Sequence, residues 1–191
     1  MFKYLLIIST LIFGCSHPHY KDPHIIIETN YGDIEVALYP DKAPKTVAAF
    51  LSYIDSGYFT KSSFYRVLKT EDMAGNNYGL LQGGIWQTND KRHPDIAGIV
   101  HESTKQTGLS HFSGTISLAR TTPGTANTEF FICVGDQPQF DHGNNGVADG
   151  QGFAAFGAVF KGMDIVRKIQ DQPCRGESLV EKVSIDNIRR L

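Results

Sequence analysis

The chain has 191 residues, 41% hydrophobic and 20% charged, with 19 glycines, or about one residue in ten against a usual ~7%. That length and mix describe one turn-rich globular domain. Eighteen Lys and Arg against twenty Asp and Glu leave a net charge of −2 and no basic run, so the electrostatic footprint of a nucleic-acid binder is missing. The longest apolar run, Tyr4 to Phe13, falls short of the ~20 residues that a bilayer-spanning helix needs.

That run follows Lys3 and closes on Gly14-Cys15, the charged, apolar, small-residue order of a secretory signal peptide. Leu11-Ile12-Phe13-Gly14-Cys15 looks like a bacterial lipobox, whose cysteine is lipidated and becomes the mature N-terminus. The expectation is a signal peptide over 1–14, lipid on Cys15, a tether over 15–23 and a domain over 24–190. The protein is then exported, periplasmic and held to a bacterial membrane by its lipid alone. A plain signal peptide or a buried first strand is the alternative. His17, His19 and His24 in and beside the tether form only a weak metal-site pattern. Cys133 and Cys174 leave one possible disulfide in an oxidising compartment. Inside Phe130-Phe131-Ile132-Cys133-Val134, however, Cys133 reads better as a small buried hydrophobe.

Ile25-Ile26-Ile27 and the alternating Ile34, Val36 and Leu38 flank Asn30-Tyr31-Gly32, a period-2 pattern around a turn that predicts a β-hairpin. Pro44 opens a helix to about residue 56, with Val47, Phe50, Leu51 and Ile54 on one face and Gly57 as its stop. Short apolar runs at 64–68, 80–82, 114–119, 129–134 and 153–160 alternate with segments rich in Gly, Asn, Asp and Thr, a strand-and-loop rhythm. Met163 to Gln170 fits a second helix, and Val180 to Ile188 alternates as a closing strand. Many strands with two helices predict a mainly β protein, a closed antiparallel barrel or a sandwich with helices at its ends. The loops at 85–112 and 135–152 are long enough to carry function.

Common catalytic motifs are absent: there is no G-x-S-x-G, C-x-x-C, H-E-x-x-H or phosphate loop. His101-Glu102 begins a zincin-like string, but Lys105 stands where the second histidine belongs. Asp141, Asn145 and Gly146 match part of a calcium loop, yet Gly143 and Gly152 occupy positions that need oxygen ligands. No metal site is expected.

A different pattern runs through Phe64-Tyr65-Arg66-Val67, Leu81-Gln82-Gly83-Gly84, Gly114-Thr115-Ile116-Ser117-Leu118-Ala119-Arg120 and Glu129-Phe130-Phe131-Ile132. It continues through Phe140-Asp141, Phe153-Ala154-Ala155-Phe156-Gly157 and Lys161-Gly162-Met163-Asp164. In order and local spacing these segments resemble the cyclophilin family of peptidyl-prolyl cis/trans isomerases, over residues 24 to 190. The resemblance implies a closed eight-stranded antiparallel β-barrel capped by two α-helices. It also implies catalysis of X-Pro bond rotation with no cofactor and no covalent intermediate.

By position, the resemblance makes Arg66 the catalytic arginine, Gln82 the side chain that orients it and Phe131 the floor of a proline pocket. Phe64, Leu80, Glu129, Phe140 and Phe153 join the substrate site, while Ala119, Arg120 and Thr121 line the groove for the peptide backbone. The implied partners are proline-containing peptides and unfolded exported proteins. The chain departs from the family pattern in extra residues from Lys69 to Gly79, with Leu80 in place of a methionine and Tyr78 the nearest counterpart of a phenylalanine. Phe153 replaces a pocket histidine, Glu129 a glutamine, and Gln139 the tryptophan associated with cyclosporin, which implies weak cyclosporin binding. The alternative to an enzyme is a proline-peptide-binding or chaperone module on the same barrel.

Overall fold

The computed structural model describes residues 20–71, 73–75, 77–87 and 95–191. The expected signal peptide, the lipidation site Cys15 and the tether residues up to 19, with His17 and His19, lie outside the described residues. Among the described residues, nine strands form one antiparallel sheet: β1 His24–Thr29, β2 Gly32–Leu38, β3 Ser62–Glu71, β4 Asn77–Gly84, β5 Thr115–Leu118, β6 Phe130–Val134, β7 Ala154–Lys161, β8 Cys174–Arg175 and β9 Ser178–Arg190. Their order is β1-β2-β7-β5-β6-β4-β3-β9-β8, and β1 also pairs with β9. That last pairing closes eight strands into a barrel and removes its edges. The two-residue β8 is an appendix to β9.

The barrel is filled by alternation. Ile25, Ile27, Ile34, Val36, Leu38, Phe64, Leu81, Ile116, Phe130, Ile132 and Phe156 all point inward and are at most 1% exposed. Helix α1, Pro44–Asp55, drives Phe50 into this core. There its ring meets Phe59 at 5.0 Å, Phe156 at 5.0 Å and Phe130 at 5.6 Å between centroids, inside the range where aromatic pairs attract beyond simple burial. No local side chain caps α1. Instead Glu102, from the zincin-like string, accepts hydrogen bonds from the Lys45 and Thr46 amides and the Thr46 hydroxyl, supplying the acceptor and negative charge that a helix N-terminus favours. Helix α3, Met163–Gln170, buries Val166 and Ile169 against the barrel. Two helices of this size were expected; the long loop after β4 adds a single turn, α2, Thr104–Thr107.

Two expectations are refined. Of the extra residues, Lys69 to Glu71 and Asn77 to Gly79 lengthen the β3–β4 hairpin, with Lys69 opposite Gly79, Thr70 opposite Tyr78 and Glu71 opposite Asn77. Hydrogen bonds from Lys69 to the Gln172 carbonyl and from Asn77 to Asp171 tie this extension to the end of α3. Tyr20, within the expected tether, lies on the barrel: it stacks on His24 at 3.6 Å, and His24 bonds to the buried Glu35 at 2.7 Å, so this histidine is engaged. Cys133 and Cys174 are free thiols, and burial pushes the Cys133 thiol pKa well up.

Candidate active site

The site sits on the outer wall of the barrel, where alternate residues of β3, β4 and β6 face away from the core. On β6, Phe130 and Ile132 point in, so Phe131 and Cys133 point out and join Leu80 and Phe140 in a second apolar cluster. Half-buried Phe153 and Ala119 pack against it. The Phe131 ring is met edge-on by Phe153 at 5.1 Å and Phe140 at 5.7 Å. Above this cluster opens a cleft of about 430 Å³, bordered by Tyr65, Arg66, Leu80, Gln82, Trp86, Ala119, Arg120, Thr121, Glu129, Phe131 and Phe153, with Thr125 and Asn127.

Strict alternation would place Tyr65 and Arg66 on opposite faces of β3. Phe64 pairs with Gly83 and Arg66 with Gln82, so two steps on β3 match one on β4 and Tyr65 is the extra residue of a β-bulge. Phe64 and Val67 keep to the interior, while Tyr65 and Arg66 both reach the cleft. The bulge therefore brings two adjacent side chains to Gln82.

Arg66 Nη1 donates to Gln82 Oε1 at 2.6 Å, Gln82 Nε2 donates to the Tyr65 hydroxyl at 2.9 Å, and that hydroxyl donates to Glu129 Oε2 at 2.5 Å. Glu129 Oε1 accepts from the backbone N–H groups of Ile85 at 2.8 Å and Trp86 at 2.9 Å. On its other side Arg66 pairs with Glu177, from the turn before β9, at 2.5 Å. Burial raises the Glu129 carboxyl above the ordinary carboxylate range against the pull of its donors. Burial, and then the neighbouring Glu129, also raise the Tyr65 phenol.

Behind the pocket floor His111 lies nearly parallel to Phe131, its Nδ1 2.6 Å from Asp141 and its Nε2 3.1 Å from the Ser117 hydroxyl. The order Ser117–His111–Asp141 imitates a hydrolase triad. Ser117 is 0% and His111 1% exposed, so this group braces the floor and meets no substrate. It also occupies the Asp141 carboxylate that the calcium-like string had offered.

The structure brings Arg66, Gln82, Phe131, Leu80, Ala119, Arg120, Thr121, Glu129 and Phe153 together around one cleft. Phe140 stands behind Phe131 as a second layer. Phe64 is a correction: it is 0% exposed and faces Phe130 inside the barrel, because its strand position points inward. Tyr78, named as a counterpart of a family phenylalanine, stands opposite Thr70 in the hairpin extension, outside the cleft lining. The Arg120 guanidinium is committed elsewhere, to the Asp149 carboxylate and the Gly152 carbonyl, and lies 5.4 Å from the Phe153 ring centroid. It braces Phe153 and lowers the Asp149 pKa to about 2. Tyr65, Trp86 and His111 were given no role from sequence; Tyr65 lay inside a quoted motif, but the bulge that turns it outward leaves no composition signal.

A barrel that presents an apolar pocket beside an oriented cation defines a protein built to grip an apolar ring and a polar backbone together. A model of the family described as cyclophilin type peptidyl-prolyl cis-trans isomerase/CLD matches residues 24–190. The chain is 36% identical over 148 residues to a peptidyl-prolyl cis-trans isomerase of Acinetobacter baylyi, covering 77% of this chain and 71% of that protein. It is 33% identical over 147 residues to peptidyl-prolyl cis-trans isomerase B of Escherichia coli K12, covering 76% and 83%. The crystal structure of a Cryptosporidium parvum cyclophilin type peptidyl-prolyl cis-trans isomerase superposes with a TM-score of 0.69 at 20% identity, covering 89% of this chain and 98% of that one. The chain belongs to the cyclophilin-type peptidyl-prolyl cis-trans isomerase family, and its activity is the cis/trans isomerisation of X-Pro peptide bonds.

Proposed function

We propose that this activity resides in the cleft over Phe131, that Arg66 is its catalytic residue, and that the enzyme serves the folding of exported proteins from a lipid anchor on Cys15. Resonance holds the X-Pro amide planar behind a barrier of about 18–20 kcal/mol. Twisting the C–N bond localises the nitrogen lone pair, so a cationic donor held beside that nitrogen is favourable only while the bond is twisted. Binding the twisted amide better than either planar isomer accelerates both directions. Phe131, Leu80 and Phe153 hold the pyrrolidine ring, backed by Phe140. Ala119, Arg120 and Thr121 border the path of the peptide backbone, and Gln82 aims Arg66. No bond breaks, so the step calls for no nucleophile.

The observation that carries this reading is the 2.6 Å bond from Arg66 to Gln82 at the edge of the aromatic pocket. The Cryptosporidium parvum fold neighbour also has a crystal structure in the presence of dipeptide ala-pro, which supports an X-Pro peptide as the probe. Turnover of a short X-Pro peptide by the wild type and by Arg66→Ala tests the role of the arginine. Mass spectrometry of the mature N-terminus tests the anchor. Diacylated or triacylated Cys15 is expected, because one chain alone gives only marginal attachment; an unmodified terminus beyond Cys15, with the protein in the soluble fraction, contradicts it.

A further inference from the structure

The bonds around Tyr65 have a direction. An ionised carboxylate only accepts hydrogen bonds. Glu129 is therefore a fixed terminus, with the Ile85 and Trp86 amides on one oxygen and the Tyr65 hydroxyl on the other. Tyr65 has a single proton, and giving it to Glu129 obliges its oxygen to accept from Gln82. The Gln82 amide must then turn its NH2 towards Tyr65 and its carbonyl oxygen towards Arg66. A glutamine side chain has no intrinsic preference between these two orientations; the reverse one would set an NH2 against the guanidinium.

The space for this arrangement is made locally. Gly84 has φ +147, and a Cβ there would lie 2.4 Å from Glu129 Oε1, so the glycine that ends β4 leaves room for the carboxylate. Thr128 adds a hydroxyl 3.3 Å from the same oxygen.

We propose that Glu129 is a positioning residue for the isomerase reaction: through Tyr65 it fixes the orientation of the Gln82 amide and thereby holds Arg66 ready to donate to the twisted amide nitrogen. This rests on the reading of Arg66 as the catalytic donor. The carboxylate acts as a charge and as an obligatory acceptor; the glutamine that the family pattern has at this position can either donate or accept, so beside Tyr65 in this chain Glu129→Gln leaves the direction of the bonds unset without changing shape. Protonated Glu129 likewise gains a donor and releases the constraint. The raised pKa of this carboxyl brings that release above the ordinary carboxylate range. Among the described residues, the ionisable groups around it are Tyr65 on β3, Arg66 beyond Gln82, and Asp95 on the segment that shares its outer side.

The test is steady-state and exchange kinetics on an X-Pro peptide with wild type, Glu129→Gln, Arg66→Ala and the double variant, each across pH 4.5 to about 8. Glu129→Gln is expected to lower kcat about tenfold to a hundredfold, the scale of one misdirected hydrogen bond to a charged group, with KM unchanged. The wild type is expected to lose kcat on acidification, Glu129→Gln to show no such acid limb, and the double variant to be no slower than Arg66→Ala. A slow Arg66→Ala beside a Glu129→Gln with wild-type kcat and pH profile overturns the role of Glu129 alone. A fully active Arg66→Ala overturns the underlying reading and this one with it. Should Glu129→Gln fail to fold, wild-type NMR decides: the Gln82 side-chain NH2 resonances must move through the titration of the Glu129 carboxyl, and resonances that stay fixed through it refute the coupling.

Discussion

Truncating Phe131 to alanine separates pocket from catalyst. The ring is 2% exposed and is met edge-on by Phe153 at 5.1 Å and Phe140 at 5.7 Å. Phe→Ala in a closed core costs about 3–5 kcal/mol. Here one side of the void opens on the cleft and water can enter, so the expected loss of stability is at the low end, about 3 kcal/mol. The effect on substrate follows from area: a pyrrolidine ring presents about three methylenes, each worth about 0.8 kcal/mol when buried. If the floor supplies somewhat under half of that enclosure, about 1 kcal/mol is lost, or roughly fivefold in KM. The loss is shared by planar and twisted amide, so kcat changes far less than KM. Denaturant unfolding measures the first number and saturation kinetics on an X-Pro peptide the second, with Phe131→Leu expected between wild type and alanine on both. A folded Phe131→Ala with wild-type KM would refute the placement of the proline ring on Phe131.

Two further outcomes concern acid stability and inhibitor binding. Burial holds the His111 pKa below its ordinary value, with Asp141 pulling the other way, so between the lowered value and about 6.5 the unfolded chain binds the extra proton. Stability therefore falls as pH drops below about 6.5 and levels off once the folded protein is also protonated; His101 is shifted in the same direction by burial. Thermal melts from pH 8 down to 5 should show this slope, and it should be shallower in a folded His111→Asn variant. Cyclosporin should inhibit weakly, because Gln139 is exposed and spends its amide on Gln137. Gln139→Trp, which supplies an indole face and an N–H donor, should lower the inhibitory concentration, whereas tight inhibition of the wild type would assign that contact to another residue.

Hairpin β1–β2, helix α1 and helix α3 were legible because each shows a plain period: isoleucines alternating about Asn30-Tyr31-Gly32, and Val47, Phe50, Leu51 and Ile54 at helical spacing. Strand ends were less legible. β3 runs to Glu71, past the apolar stretch at 64–68, because its last residues pair with Tyr78 and Asn77 outside the core and need no hydrophobic pattern. The pocket floor could be inferred from Phe131, but inward and outward phenylalanines look alike in a sequence. Phe64 was assigned to the site for that reason and belongs to the core. The least legible feature was the bulge at Tyr65, since a one-residue slip in pairing carries no residue preference strong enough to read. The polar chain from Arg66 through Gln82 and Tyr65 to Glu129 is assembled by that slip. The Glu102 cap of α1, supplied from 56 residues away at Thr46, was hidden for a similar reason: local sequence near Pro44 holds no capping side chain.

Whether Arg66 stabilises the twisted amide is read from the rate of X-Pro isomerisation by Arg66→Ala. A donor that acts only in the transition state of a preorganised site is worth about 10²–10³ in rate, while the exposed pair with Glu177 contributes at most ~1 kcal/mol to stability. Arg66→Ala, with unchanged circular dichroism and near-native peptide binding, is expected to lose kcat by that factor of about 10²–10³, and Arg66→Lys to fail to restore it, because a point charge lacks the planar fork that Gln82 holds. Near-native turnover by Arg66→Ala on the same peptide would contradict it.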